Sequence, residues 1–130
     1  MLVVDASAAF NACAAPEGFA VFGSEPLVGP PVLWSEVSST VHEAMWRGEI
    51  SREQATSSIE RLESGRIRVR APRSLRREAW LIADQLGWAK TYDAEYVALA
   101  RLLRCRLVTI DERLRRAAGR LVELVLPLEL

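Results

Sequence analysis

The stretch "LVTIDERL", residues 107–114, places an aspartate directly after a short apolar run that is typical of a buried strand. Helix-forming, arginine-rich residues follow the aspartate at once. The chain begins in the same way, because "MLVVDASAAF", residues 1–10, has an apolar run that stops at Asp5 before a series of alanines. Both segments therefore predict a strand, an aspartate at its end and a helix behind it.

The pattern of apolar and polar residues predicts that strands and helices alternate along the whole chain. Strands are expected at 2–4, 26–31, 66–72, 106–110 and 121–126. Helices are expected at 6–15, 32–48, 52–64, 74–87, 93–104 and 112–118. Ser51 and Gln54 form a capping box before the third helix, and the charge alternation of "RIRVRAP" (66–72) is typical of a half-buried or edge strand. The alternation favours an α/β fold in which helices flank a mostly parallel sheet on both faces.

Length and composition fit one folded unit. With 130 residues, half of them hydrophobic, the chain can bury about two-thirds of its unfolded surface, so we expect a single domain over residues 1–130. No apolar run approaches the roughly 20 residues that cross a bilayer, and no basic segment precedes the first apolar run as it would in a secretory signal. We expect a cytoplasmic protein without membrane contact. Cys13 and Cys105 are expected to be free thiols, with a disulfide as the less favoured alternative.

The formal net charge is zero, but the charges are unevenly distributed. Residues 1–50 contain one arginine against six acids, whereas residues 51–130 contain sixteen basic residues against eleven acids. Such asymmetry permits an acidic site beside a basic surface, although arginines also commonly occupy solvated helix faces.

Four carboxylates occupy positions that favour a site. Asp5 and Asp111 precede expected helices and Asp93 stands at the start of another, so helix capping would explain each of them taken alone. Glu36 differs, because its neighbours in "VLWSEVSST" are apolar or small, and a buried ionised glutamate needs a partner. Ligands of parallel sheets bind beyond the carboxyl ends of the strands, where Asp5 and Asp111 would lie.

Two local details support these carboxylates. Thr109 is two residues before Asp111, so the strand period places both on one side and the hydroxyl is expected to support that carboxylate. The backbone N–H groups and dipole of a helix N-terminus are expected to hold Asp93 ionised. In the helix of Glu36, Glu43 is expected to be exposed.

The residue types present argue against several kinds of active site. The single histidine, His42, is expected to be structural or exposed, and it excludes a two-histidine ribonuclease mechanism. One histidine and two distant cysteines make a zinc site improbable, and there is no glycine-rich phosphate loop. Oxygen-only ligation of magnesium or manganese remains. Such ions serve phosphate-ester chemistry by binding the attacking water and the leaving oxygen.

Four segments resemble, in order and spacing, the acidic motifs of PIN-domain nucleases, and the branch indicated is the VapC-type toxins of bacterial toxin–antitoxin pairs. The segments are "MLVVDAS", "SEVSSTVHEAMWRG", "TYDAEYVALA" and "LVTIDERL". The resemblance extends from residue 2 to about 126 and implies a PIN-like three-layer fold. It implies that one or two magnesium or manganese ions are bound by Asp5, Glu36, Asp93 and Asp111. Ser7 and Thr109 match the family's supporting hydroxyl residues.

The resemblance also implies an activity and partners. A metal-bound water would attack a phosphodiester of RNA and leave a 5′-phosphate and a 3′-hydroxyl. The protein would be a homodimer, held inactive by a cognate antitoxin whose C-terminal segment covers the acidic groove. Trp46, Trp80 and Trp88 are candidate contacts, although core packing is the expected role of at least two of them.

Three alternatives remain open at this point. A PIN-like nuclease of RNA processing or of DNA structures would use the same chemistry without an antitoxin. A catalytically inactive binding module is disfavoured, because all four acids are present. A phosphoacceptor receiver domain also gathers aspartates at strand ends, but the only lysine, Lys90, is far from any expected strand end.

Overall fold

The computed structural model describes residues 1–130, which form five short strands and six α-helices. The strands are β1 (Leu2–Val4), β2 (Leu27–Gly29), β3 (Ile67–Val69), β4 (Arg106–Val108) and β5 (Leu124–Val125). The helices are α1 (Ala6–Ala14), α2 (Val32–Trp46), α3 (Arg52–Ser64), α4 (Leu75–Leu86), α5 (Tyr92–Leu103) and α6 (Glu112–Ala118). Two short 3-10 helices, Gly18–Phe22 and Pro127–Glu129, were not expected from the sequence.

All five strands are parallel and lie in the order β3-β2-β1-β4-β5. In the centre of the sheet, Val3 is in register with Val28 on one side and Leu107 on the other. The α/β prediction is therefore confirmed, as is the position of β3 at an edge. Because the strands are parallel, all their carboxyl ends lie at one edge of the sheet, which is called the carboxyl edge below.

Strand β1 and helix α5 contain the most deeply buried residues. Leu2, Val3 and Val4 are fully buried, as expected for a parallel strand with helices on both faces. Residues 96–100 of α5 are also at most 1 % exposed. Helix α5 ends at Arg104, in the left-handed conformation (φ 53°), and the chain enters β4 at once. The N-terminus of α5 consequently lies at the carboxyl edge.

The tryptophans lie elsewhere than the sequence suggested. Trp46 is 82 % exposed and Trp80 is 64 % exposed, while Trp88 is half-buried, so the expected core packing of at least two of them is wrong. Trp46 is the last residue of α2. Trp80 belongs to α4, whose inward stripe consists of Leu75, Ala79, Ile82 and Ala83. The helical period turns position 80 away from that stripe.

Both cysteines are free thiols, as expected. Cys13 is buried in α1, and burial raises the pKa of its thiol to about 11. No helix combines the length and apolar character that a membrane span requires.

Candidate functional site

Asp5 follows β1 and is only 4 % exposed. Its Oδ1 accepts hydrogen bonds from the Ala8 backbone N–H (2.8 Å) and the Ser7 hydroxyl (2.7 Å), and its Oδ2 accepts one from the Thr109 hydroxyl. Burial raises the pKa of Asp5, the three hydrogen bonds oppose that rise, and the charge of Asp111 adds to it. Asp5 is thus both the N-cap of α1 and a buried carboxylate held by three donors.

Thr109 and Ser7 join the ends of the two central strands. The fully buried Thr109 hydroxyl donates to Asp5 and accepts from the Asp111 backbone N–H (3.0 Å). The Ser7 hydroxyl accepts from the Ile110 backbone N–H (3.1 Å). The prediction that Thr109 supports the carboxylate of Asp111 is wrong. Strand β4 ends at Val108, so the period of two does not continue to residue 111, and the hydroxyl supports Asp5 instead.

Asp111 is the N-cap of α6 and still has a free carboxylate oxygen. Its Oδ1 accepts from the backbone N–H groups of Arg113 (2.9 Å) and Leu114 (3.3 Å). Its Oδ2 accepts no hydrogen bond within the chain, and the side chain is 29 % exposed. Capping and ligand binding therefore do not compete for the same oxygen.

Glu36 projects from α2 and is half-buried. The hydroxyl of the buried Tyr96 donates to its Oε1 at 3.1 Å. Burial raises the pKa of Glu36 to about 7, with the charges of Asp93 and Asp5 adding to the effect and the Tyr96 hydrogen bond opposing it. The pKa of Tyr96 is raised in turn, by burial and by the charge of Glu36.

Sequence analysis missed Tyr96 as the partner of Glu36. The available signal was its spacing in "TYDAEYVALA", where Tyr96 is three residues after Asp93 and so lies on the same face of α5. The burial of Glu36 itself was anticipated, and the expected exposure of Glu43 and of His42 is confirmed.

Asp93 lies in the first turn of α5 at the exposed rim of the site. It is not the cap, because Thr91 occupies that position. The helix N-terminus was expected to hold Asp93 ionised and so to lower its pKa, but that expectation is wrong, because the pKa is raised. Desolvation and the charge of Asp111 raise the pKa of Asp93, and only Arg113 opposes them.

The four acids lie near one another at the carboxyl edge. A groove of about 690 Å³ is lined there by Glu36, Asp93 and Asp111, together with Trp88, Lys90 and Arg113. Asp5 is close enough for its charge to raise the pKa of Glu36. A larger cleft of about 770 Å³ between α2 and α3 contains His42 and Glu43 but none of the four acids.

The donor set fits a hard divalent cation. Neither histidine nor cysteine lines the groove, so carboxylate oxygens are its metal-binding atoms, and magnesium and manganese prefer such ligands. The raised pKa values of Asp5, Glu36 and Asp93 reflect desolvation and mutual repulsion, which a bound cation would offset. No three acidic, histidine or cysteine side chains are close enough to one another to hold one ion. Binding therefore requires the carboxylates to move closer together.

A family model described as "PIN domain" matches residues 2–120. The chain belongs to the PIN domain family. The resemblance of the four acidic motifs is thus confirmed at the level of the family, whose members are generally metal-dependent nucleases. The match extends from β1 to just beyond α6 and includes all four acids.

A solved structure agrees with this assignment. The crystal structure of PAE2754 from Pyrobaculum aerophilum superimposes with a TM-score of 0.77, covering 98 % of this PIN domain and 91 % of that chain. The two sequences are 22 % identical, so the similarity concerns the fold. Among curated proteins, none matches the chain significantly.

Proposed function

We propose that this PIN domain, as a single domain over residues 1–130, is a magnesium-dependent endoribonuclease for which manganese can substitute. The observation that carries the proposal is the convergence of Asp5, Glu36, Asp93 and Asp111 from four different elements on one edge of the sheet. Two of them, Asp5 and Glu36, are withdrawn from solvent, where a carboxylate is unfavourable without a compensating charge.

In this mechanism, the chain's own residues supply the carboxylates for the cation and hold them in orientation. A bound cation supplies an activated water and stabilises charge on the phosphoryl group. Ser7 and Thr109 donate to the two oxygens of Asp5 and so fix the orientation of this carboxylate. The unpaired Oδ2 of Asp111 and the carboxylate of the exposed Asp93 would complete the ligand set from the solvent side. Tyr96 orients Glu36 and leaves Oε2 of that residue available.

The proposed biological role is that of the toxin in a cytoplasmic toxin–antitoxin pair. Its support is the resemblance of the four acidic motifs to VapC-type toxins. In this role the protein is a homodimer, cleaves RNA to 5′-phosphate and 3′-hydroxyl ends, and is inhibited by a cognate antitoxin. The exposed Trp46 and Trp80 offer apolar surface for such contacts.

The test is cleavage of total RNA by the purified protein in magnesium, in manganese, in zinc and in excess chelator. We expect cleavage with magnesium or manganese, none in chelator, and no rescue by zinc alone, because the site has only oxygen donors. Undiminished cleavage in chelator would contradict the metal mechanism. A parallel assay on DNA separates the toxin from a PIN-like nuclease acting on DNA structures, and cleavage of neither substrate would favour an inactive binding module.

A further inference from the structure

The segment "RIRVRAPRSLRR", residues 66–77, contains six arginines and no acid. It forms the edge strand β3 and the start of α4. Arg66 is structural, because its guanidinium donates to the backbone carbonyls of Phe19, Gly23 and Glu25. The other five are exposed and make no ion pair or side-chain hydrogen bond within the chain. These five, called the arginine band below, are Arg68, Arg70, Arg73, Arg76 and Arg77.

Several other arginines in the chain have an acidic partner, which the arginine band lacks. Arg47, Arg101 and Arg106 each form an ion pair with a glutamate. Five neighbouring guanidinium groups without a counter-charge repel one another, and an anion on this surface would relieve that repulsion. Solvated arginines are common on helix faces, so the arginine band indicates a binding surface only if it lies beside the four acids.

The arginine band reaches the carboxyl edge beside the four acids. Because β3 is parallel to β1, Arg70 and Arg73 follow the end of β3 at that edge. Only β2 separates β3 from β1, so the two strands are about 10 Å apart. Arg76 is near enough to Glu95, in the first turn of α5, for the two charges to interact. The band therefore begins at the rim of the acidic groove and leads away from it.

We propose that the arginine band binds the phosphates of the RNA strand on one side of the bond that is cleaved. This inference rests on the proposed nuclease function and adds the path of the substrate. Guanidinium groups bind phosphate oxygens in a bidentate manner. At a rise of about 3.4 Å per nucleotide, roughly three nucleotides span the distance from β1 to β3. An acidic peptide would match the charge of the band equally well, but the four carboxylates beside the band would repel it, whereas a cation held by those carboxylates would attract the phosphates of RNA.

The experiment measures binding of a fluorescent oligouridine by anisotropy over a series of salt concentrations, in magnesium. Asp111→Asn is present in every protein to prevent cleavage. The test variant adds Arg70→Gln and Arg73→Gln. The matched control adds Arg52→Gln and Arg120→Gln, two exposed arginines outside the band, one at the start of α3 and one in the segment before β5.

We expect the test variant to bind about tenfold more weakly than the control or worse. Its slope of log K against log salt should be shallower by about 1.4, the value for two lost phosphate contacts on a single strand. Arg70→Lys with Arg73→Lys should restore the slope, because the charges remain. Equal affinity and slope in the test variant and the control would overturn the proposal. So would substitutions that weaken the binding of polyglutamate, measured in the same way, but not the binding of RNA.

A cleavage assay on the parent protein, run beside these binding measurements, separates this inference from the proposed nuclease function. Band-dependent RNA binding together with no cleavage by the parent protein would support the band and contradict the nuclease. Cleavage by the parent together with band-independent binding would overturn the band alone.

Discussion

Replacing Glu36 with glutamine should make the metal-free protein more stable at neutral and alkaline pH. The amide keeps an oxygen that accepts the Tyr96 hydrogen bond but carries no charge. A rise in the pKa of Glu36 from 4.5 to about 7 corresponds to about 3 kcal/mol of destabilisation when the folded carboxylate is ionised. Because the side chain is only half-buried, solvent screening reduces this to about 1–2 kcal/mol.

The sign of the pH dependence follows from the raised pKa. Below about pH 4.5 Glu36 is neutral in both the folded and the unfolded chain, and its contribution to stability is fully present. That contribution is lost as the pH rises from about 4.5 through about 7, because in this range the carboxyl group ionises in the unfolded chain but stays neutral in the folded one. The glutamine variant should match the parent at the acidic end and exceed its free energy of unfolding by about 1–2 kcal/mol near pH 8.

Urea denaturation in excess chelator, repeated across this pH range, measures the effect. Glu43→Gln is the control, because Glu43 is an exposed acid of the same helix and lies outside the acidic groove. Magnesium should raise the melting temperature of the parent more than that of the Glu36→Gln variant. Parallel stability profiles for the parent and the variant, or a less stable variant near pH 8, would refute the reasoning.

Four other experiments test the hydrogen bonds, the role and the assembly. Thr109→Val removes the donor to the buried Asp5, so urea titrations should give a free energy of unfolding lower by about 1–3 kcal/mol, whereas Thr40→Val on exposed α2 surface should have little effect. Tyr96→Phe removes the donor to Glu36, so RNA cleavage should fall and apo stability should decline more steeply with pH; a profile equal to the parent's would count against this contact. Expression in bacteria should arrest growth, and normal growth would argue against a toxin. Light scattering should detect a dimer, and a strict monomer at micromolar concentration would contradict it.

Local signals account for most of the fold that sequence analysis anticipated. The capping box of Ser51 and Gln54 located α3 at residues 52–64, which are its observed bounds. Asp5 and Asp111 likewise marked the starts of α1 and α6. The strands are shorter than expected, because strand-forming residues continue beyond the end of the strand, as Thr109 and Ile110 do after Val108.

The contacts that sequence analysis missed depend on tertiary geometry. Glu36 and Tyr96 are 60 residues apart in the sequence, and only the tertiary fold brings the two side chains together. The partner of the Thr109 hydroxyl depends on how the backbone turns after β4, which strand periodicity does not describe. The exposure of Trp80 depends on which stripe of α4 faces the core.

Asp111 bears on the central claim most directly, because it is a helix cap and a proposed metal ligand at once. Asparagine caps a helix about as well as aspartate, so Asp111→Asn should leave the apo protein as stable as the parent or more so. The decisive measurement is the rate of RNA cleavage in magnesium by the parent, by Asp111→Asn and by Asp84→Asn, an exposed control in α4. The metal-site account predicts that Asp84→Asn cleaves at the parental rate and that Asp111→Asn is slower by orders of magnitude. Cleavage by Asp111→Asn at the parental rate would mean that this aspartate only caps its helix, and would contradict the account.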